Sequence, residues 1–318
     1  MNLLLNPQKR DPWLSGNGGR PDSLTGGSPF DQGIVTGSGV VMKPIQQRQR
    51  LPRVRVAADA SVQTHRIGMI VPSSNTTMET EIPELLQRVG QGNHRFTFHS
   101  SRMRMKKVNL SELGRMNAQA DRCAEELSDA AVDVAAYACL VAVMSEGPEY
   151  AQEISRTLTG LLQQGNPQAQ MITSAGALIE GVRKLGVSRV ALITPYMKPL
   201  TALVIDCLEA AGIQVVDSIS LEIADNLAVG RRDPEALVSI ARDLDLKDAE
   251  AVIVSACVQM PSLEAIPQLE AETGLPVLSA ATATLRSILD TLDLSLNIPG
   301  GGQLLQMNSH SDKEESRS

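Results

Sequence analysis

The stretch RIGMIVPSSNTTMETEIPELL, Arg66 to Leu86, decides how this chain is read. An apolar run closes on a proline, gives way to two serines, an asparagine and two threonines, and then becomes a helix. That order is a β-strand, a polar turn and a helix. The strand has an echo. RIGMIVP (Arg66–Pro72) matches RVALITP (Arg189–Pro195), and VAAYACL (Val134–Leu140) matches VIVSACV (Val252–Val258). The offsets, 123 and 118 residues, suit one half-unit used twice with small insertions. In parallel sheets ligands bind beyond the carboxyl ends of the strands. Both prolines and both cysteines of the matched segments fall at those ends.

Outward from these segments, short apolar strands alternate with amphipathic helices. Strands are expected at Arg66–Val71, Arg95–Ser100, Asp133–Tyr137, Gln170–Thr173, Arg189–Thr194, Gln214–Ser218, Ala251–Ser255 and Pro276–Leu278. Helices are expected at Leu110–Ala130, Gly147–Leu162, Pro199–Ala211, Pro234–Asp245, Ser262–Thr273 and Ala280–Leu292. Such alternation predicts an α/β fold with parallel sheets covered on both faces. The duplication divides it into two pseudo-repeated lobes, residues 64–175 and 176–279, with the active site in the cleft between them. A last helix, 280–296, is expected to pack back on the first lobe. Residues 1–63 are rich in Gly, Pro, Ser, Gln and Arg, carry 8 Lys/Arg against 4 Asp, and read as a disordered extension. Residues 297–318 read as a disordered tail.

Composition narrows the function. Aromatic residues make up 2% of the chain, too few for base-stacking platforms. A net charge of −7 disfavours a polyanion partner, so no nucleic acid is expected. An anionic small molecule remains compatible, because a pocket sets its own field. No window approaches the roughly 18 apolar residues of a membrane span, and the start lacks a signal-peptide core. The four cysteines, at 123, 139, 207 and 257, form no CxxC pair and have no histidine near them in sequence. Neither a metal site nor a disulfide framework is expected, and the protein reads as cytoplasmic with reduced thiols.

The cysteines differ by position. Cys123 and Cys207 lie within helical stretches and read as small core residues. Cys139 and Cys257 each end a strand just before a turn or helix start, where unpaired N–H groups stabilise a thiolate and receive a carboxylate. Two opposed thiols can take a proton from one face of a carbon and return one to the other, which is racemisation. One thiolate can instead add to an activated alkene, allow rotation and leave again, with the second thiol as acid and base. A single thiol suffices to protonate a carbanion after decarboxylation. Two thiols favour the first two chemistries, and spacing does not separate those.

VPSSNTTMETEIP (Val71–Pro83), ACLVAVM (Ala138–Met144), TPYMKPLT (Thr194–Thr201), ADNLAVG (Ala224–Gly230) and SACVQMPSL (Ser255–Leu263) resemble the corresponding blocks of maleate cis-trans isomerases. Those enzymes belong to the aspartate/glutamate racemase superfamily, as does arylmalonate decarboxylase. The resemblance covers about residues 65 to 293. It implies a racemase-like fold and a conversion of maleate to fumarate that uses no cofactor and no metal. By similarity Cys139 is the nucleophile, forming a succinyl-cysteine, and Cys257 handles the proton at the adjacent carbon. Asn75, Tyr196 and Asn226 match side chains that hold the substrate, and the amides of Leu140 and Val258 would complete the carboxylate cradles. Relatives of this kind are typically homodimers. Decarboxylase relatives lack the first cysteine. The alternatives carried forward are a racemase of an amino acid or hydantoin, an arylmalonate-type decarboxylase, and a silent diacid sensor.

On that reading the polar turn is a carboxylate clamp of neutral donors. Capping competes for the same residues. Thr76 with Glu79 is expected to form a capping box, and Ser74 and Thr77 are further cap candidates. Alone, Asn226 reads as a helix cap and Tyr196 as a core or rim residue. His94 and His99 read as surface or packing residues on opposite faces of a strand. The basic cluster SRMRMKKVN (Ser101–Asn109) reads as a solvated loop that could also steer a dianion.

Overall fold

The computed structural model describes residues 62–89 and 92–306. The first half runs β1 (Gln63–Pro72), α1 (Met78–Arg88), β2 (His94–Met103), α2 (Leu110–Asn117), α3 (Ala120–Asp129), β3 (Val134–Tyr137), α4 (Leu140–Met144), α5 (Tyr150–Leu162) and β4 (Gln170–Thr173). The second runs α6 (Ser174–Lys184), β5 (Arg189–Thr194), α7 (Lys198–Ala210), β6 (Gln214–Ser220), α8 (Asn226–Gly230), α9 (Pro234–Ala241), β7 (Ala251–Ser255), α10 (Ala265–Thr273) and β8 (Val277–Ser279), followed by α11 (Ala280–Thr291).

The strands form two four-stranded sheets, in the orders β2-β1-β3-β4 and β6-β5-β7-β8. Every pairing is parallel. The two orders are the same order, so β1 corresponds to β5 and β3 to β7, as the repeated segments require. The fold is α/β with two repeated halves. The central strands β3 and β7 are buried along their whole length because helices cover both faces: all four residues of β3 and all five of β7 are buried. Within each sheet the chain leaves its first strand to one side and returns on the other. The crevice at such a reversal, beyond the carboxyl ends of β1 and β3 and of β5 and β7, is where a ligand can enter between strands.

Several expectations need correction. The helix expected over 110–130 is two helices. The side chain of Gln119 binds both the N–H and the carbonyl of Arg104, and the Asn117 amide donates to the Ala142 carbonyl, so the chain turns where these side chains engage the neighbouring segments. The tail expected from residue 297 is ordered through 306. Gly300 and Gly302, at φ +75° and +79°, turn the chain so that Ile298, Leu304 and Leu305 enter the core. A Cβ on Gly302 would lie 2.6 Å from the Val277 carbonyl oxygen, so only glycine fits there. Residues 1–61 and 307–318, expected to be disordered, lie outside the described residues. Helix α11 packs on α6 and also reaches α1, β3 and β4. Among the described residues no helix is long and apolar enough to cross a membrane.

Candidate active site

Four positions follow the four central strands by two or three residues: Asn75 after β1, Cys139 after β3, Tyr196 after β5 and Cys257 after β7. All four line one small cavity, about 270 Å³ of atom-free space including its mouth. Leu140, Asn226 and Val258 line it as well, so the cavity brings together every site residue expected from the sequence. Its wall carries no charged side chain. The lining is amide, phenol, thiol and hydrocarbon.

The polar turn after β1 divides its residues among distinct tasks. Ser73 exchanges hydrogen bonds with the N–H and carbonyl of Met105, both at 3.2 Å. The Ser74 hydroxyl accepts from the Asn226 amide. The Asn75 side-chain carbonyl accepts from the N–H groups of Thr77 and Met78 at 3.0 and 3.4 Å, and so caps α1. That leaves its amide nitrogen to donate, and it faces the Val258 carbonyl at 3.5 Å. The Thr77 hydroxyl crosses to the Gln259 carbonyl at 2.7 Å. The expected capping box is absent: Thr76 is exposed and Glu79 pairs with Arg102 on β2. Neither Ser74 nor Thr77 caps by its side chain, because each hydroxyl is engaged with the other half. Asn226 is not a cap either. Asp225 caps α8, freeing the Asn226 side chain for Ser74, while Gln259 donates to the Asn226 carbonyl.

The thiols sit at turns of different kinds. Cys139 is the residue before α4, and Cys257 opens a turn in which the Gln259 N–H points at its sulfur at 3.4 Å. Tyr196 is buried, and its hydroxyl faces both the Cys257 thiol and the Val141 N–H. Local N–H groups were expected to lower both thiol pKa values, and the balance goes the other way. Burial pushes Cys139 up to about 12, against the opposing pull of the Ala142 N–H. Burial likewise raises Cys257, opposed by the Tyr196 hydroxyl and the N–H groups of Gln259 and Met260. The charge of Cys257 within the shared cavity adds to the rise at Cys139.

The remaining candidates lie elsewhere. Cys123 is on α3 beside Arg122, and the Cys207 thiol donates to the Met144 carbonyl at 3.3 Å. His94 meets His65 at 3.0 Å on neighbouring strands, and His99 meets Thr97. Met105 and Val108, from the loop after β2, and Gln259 line the cavity without having been singled out by sequence. The basic cluster hid the first two: its methionine and valine turn inward between charges. Among the described residues no group of three or more His, Cys, Asp and Glu side chains could hold a metal ion.

A family model described as arylmalonate decarboxylase matches residues 67–305. The chain is 57% identical to a maleate isomerase of Geobacillus stearothermophilus, over 76% of this chain and 96% of the relative. The chain belongs to the maleate isomerase family. Within that family it superposes on the crystal structure of the maleate isomerase of Pseudomonas putida S16 in a Cys-to-Ala variant with maleate. There the TM-score is 0.75 and the identity 54%, over 77% of this chain and 98% of that one. A Cys-to-Ser mutant of the Nocardia farcinica maleate cis-trans isomerase, with a covalently bound succinylcysteine intermediate, matches at TM-score 0.75 and 48% identity. That match spans 78% of this chain and all (100%) of the other.

Proposed function

We propose that this maleate isomerase family member converts maleate to fumarate with two cysteines and no cofactor. The observation that carries the reading is that Cys139 and Cys257, one from each half, line the same neutral cavity. The Cys139 thiolate adds to one alkene carbon, and the electron pair of the double bond moves toward the adjacent carbon and its carboxylate. The Cys257 thiol gives its proton to that carbon, leaving a succinyl group on Cys139. Rotation about the new single bond follows. The Cys257 thiolate takes the proton back, the carbon–sulfur bond breaks, and the trans diacid leaves with both sulfurs in their starting states.

Holding a dianion calls for donors fixed before it arrives. Asn75 supplies an amide whose carbonyl end is already engaged, Asn226 a second amide, and Tyr196 a hydroxyl. The N–H groups of Leu140 and Val258 complete the two carboxylate sites. Neutral donors bind carboxylates without locking a thiolate into an ion pair. The division into halves at 64–175 and 176–279, with 280–296 on the first, gives each half one cavity-lining cysteine, Cys139 in the first and Cys257 in the second. Four free cysteines favour a reducing compartment, the cytoplasm, and the working form is inferred to be a homodimer with no nucleic-acid or membrane partner.

The test is direct. Maleate incubated with purified protein and no added cofactor yields fumarate, followed in the ultraviolet and by proton NMR. Cys139→Ala and Cys257→Ala each abolish turnover. A near-normal rate in either variant removes that residue from the mechanism, and no fumarate from the unaltered protein removes the reading. A racemase would instead exchange the α-proton of an amino acid or hydantoin for deuterium.

A further inference from the structure

Glu81 is a buried carboxylate on α1, one helical turn past Thr77. Its Oε1 accepts from the backbone N–H groups of Ser262 and Leu263 at 2.6 and 3.0 Å. Those two residues belong to the other half, five and six positions beyond Cys257 and just before α10. Between them and the thiol lie Val258 and Gln259, both on the cavity wall. Glu81 therefore holds the far end of the segment that presents the second thiol. Thr77 holds its middle through the Gln259 carbonyl, and the Ser255 hydroxyl holds its start through the Cys257 carbonyl at 2.8 Å.

An apolar side chain would fill this space without the desolvation cost of a buried carboxylate, and would leave two turn N–H groups without that acceptor. We propose that Glu81 is a positioning residue for Cys257: its carboxylate fixes the turn from Cys257 to Leu263 across the cleft and thereby sets where the second thiol meets substrate. This inference rests on the two-cysteine reading above and adds a residue outside the cavity to it.

The placement makes the staple responsive to pH. Burial raises the Glu81 carboxyl to about 7, against the two N–H donors, and the charges of Glu264 and Glu84 add to the rise. Around it, Glu79 is paired with Arg102 of β2, and on α11, which packs on α1, Arg286 is paired with Asp290. A raised carboxyl is neutral below its pKa, so the charge-assisted staple is complete above about pH 7 and weakens below it. The ionised carboxylate also raises the Cys257 thiol, which keeps that thiol a proton donor.

Glu81→Gln keeps an acceptor and removes the titration, whereas Glu81→Leu removes both. In kcat profiles between about pH 5.5 and 9, the unaltered protein shows an inflection near pH 7 that Glu81→Gln lacks. Glu81→Leu lowers kcat roughly ten- to a hundredfold with little change in KM, because the displaced thiol serves both proton transfers. Peptide-mapped iodoacetamide labelling without substrate shows a changed rate at Cys257 and an unchanged rate at Cys139. Superimposable profiles for the unaltered protein and Glu81→Gln, or equal labelling of Cys257 in all forms, overturn the proposal. If Glu81→Leu does not fold, the Gln comparison decides. The labelling requires no turnover, so it separates this inference from the isomerase reading.

Discussion

The Thr77 hydroxyl donates to the Gln259 carbonyl at 2.7 Å, joining the turn after β1 to the turn that carries Cys257 across 182 residues of sequence. Both groups are buried, so losing the hydroxyl strands a carbonyl that water cannot reach. Thr77→Val is expected to destabilise the fold by about 1–3 kcal/mol, and Thr77→Ser to restore most of it. Thermal denaturation of the three proteins at one pH checks this.

Asn75 carries two tasks on one side chain, and a single substitution separates them. Asn75→Asp keeps the oxygen that caps α1 and replaces the donor amide with a second acceptor. The α1 cap is expected to survive, but the new acceptor meets the buried Val258 carbonyl, so the fold loses about 1–3 kcal/mol while kcat/KM for the dianion falls by at least about a hundredfold. Asn75→Ala loses both tasks, with a cap loss of about 1 kcal/mol in addition. Equal kcat/KM in all three proteins would exclude Asn75 from substrate binding.

With burial pushing Cys139 up to about 12, the thiolate is the minor form at neutral pH. Ionisation follows rising pH, so the reactive fraction grows roughly tenfold per unit throughout the range below that value. Inactivation of Cys139 by iodoacetamide is expected to accelerate steadily from neutral to alkaline pH, with maleate protecting. A plateau already reached at pH 7 would show that the thiolate is stabilised at rest.

The Tyr196 hydroxyl lowers the pKa of the Cys257 thiol it faces and meets the Val141 N–H on the other side of the cavity. Tyr196→Phe keeps the ring and removes this link. A higher pKa for Cys257 labelling and a kcat reduced by about ten- to a thousandfold are expected, with mapped alkylation across pH as the measurement. Unchanged labelling at Cys257 argues that the hydroxyl serves packing alone.

Much of this arrangement was legible beforehand. β4, β5 and β7 have the bounds expected of them, and for β5 and β7 the reason is that a strand buried on both faces announces itself by composition alone. Asn75, Cys139, Tyr196 and Cys257 stood out because strand ends are local features. The five-residue helices α4 and α8 were not legible, since five residues are too few to show a helical period. The capping box failed for a related reason. Thr76 and Glu79 have the right spacing, but Asn75 supplies the cap and Arg102 takes the glutamate. Glu81 gave no sequence signal, because its partners are backbone N–H groups 181 and 182 residues away.

The sequence by itself determined the strands, the doubling of the half-unit and the pair of cysteines that follow matched strands, all of which depend on near neighbours in the chain. Only the tertiary structure decided that both thiols open into one uncharged cavity, that burial outweighs the adjacent N–H groups in setting their acidity, and that the polar turn laces the halves together. Desolvation and contacts across the cleft arise when the two halves pack, and no local pattern encodes them.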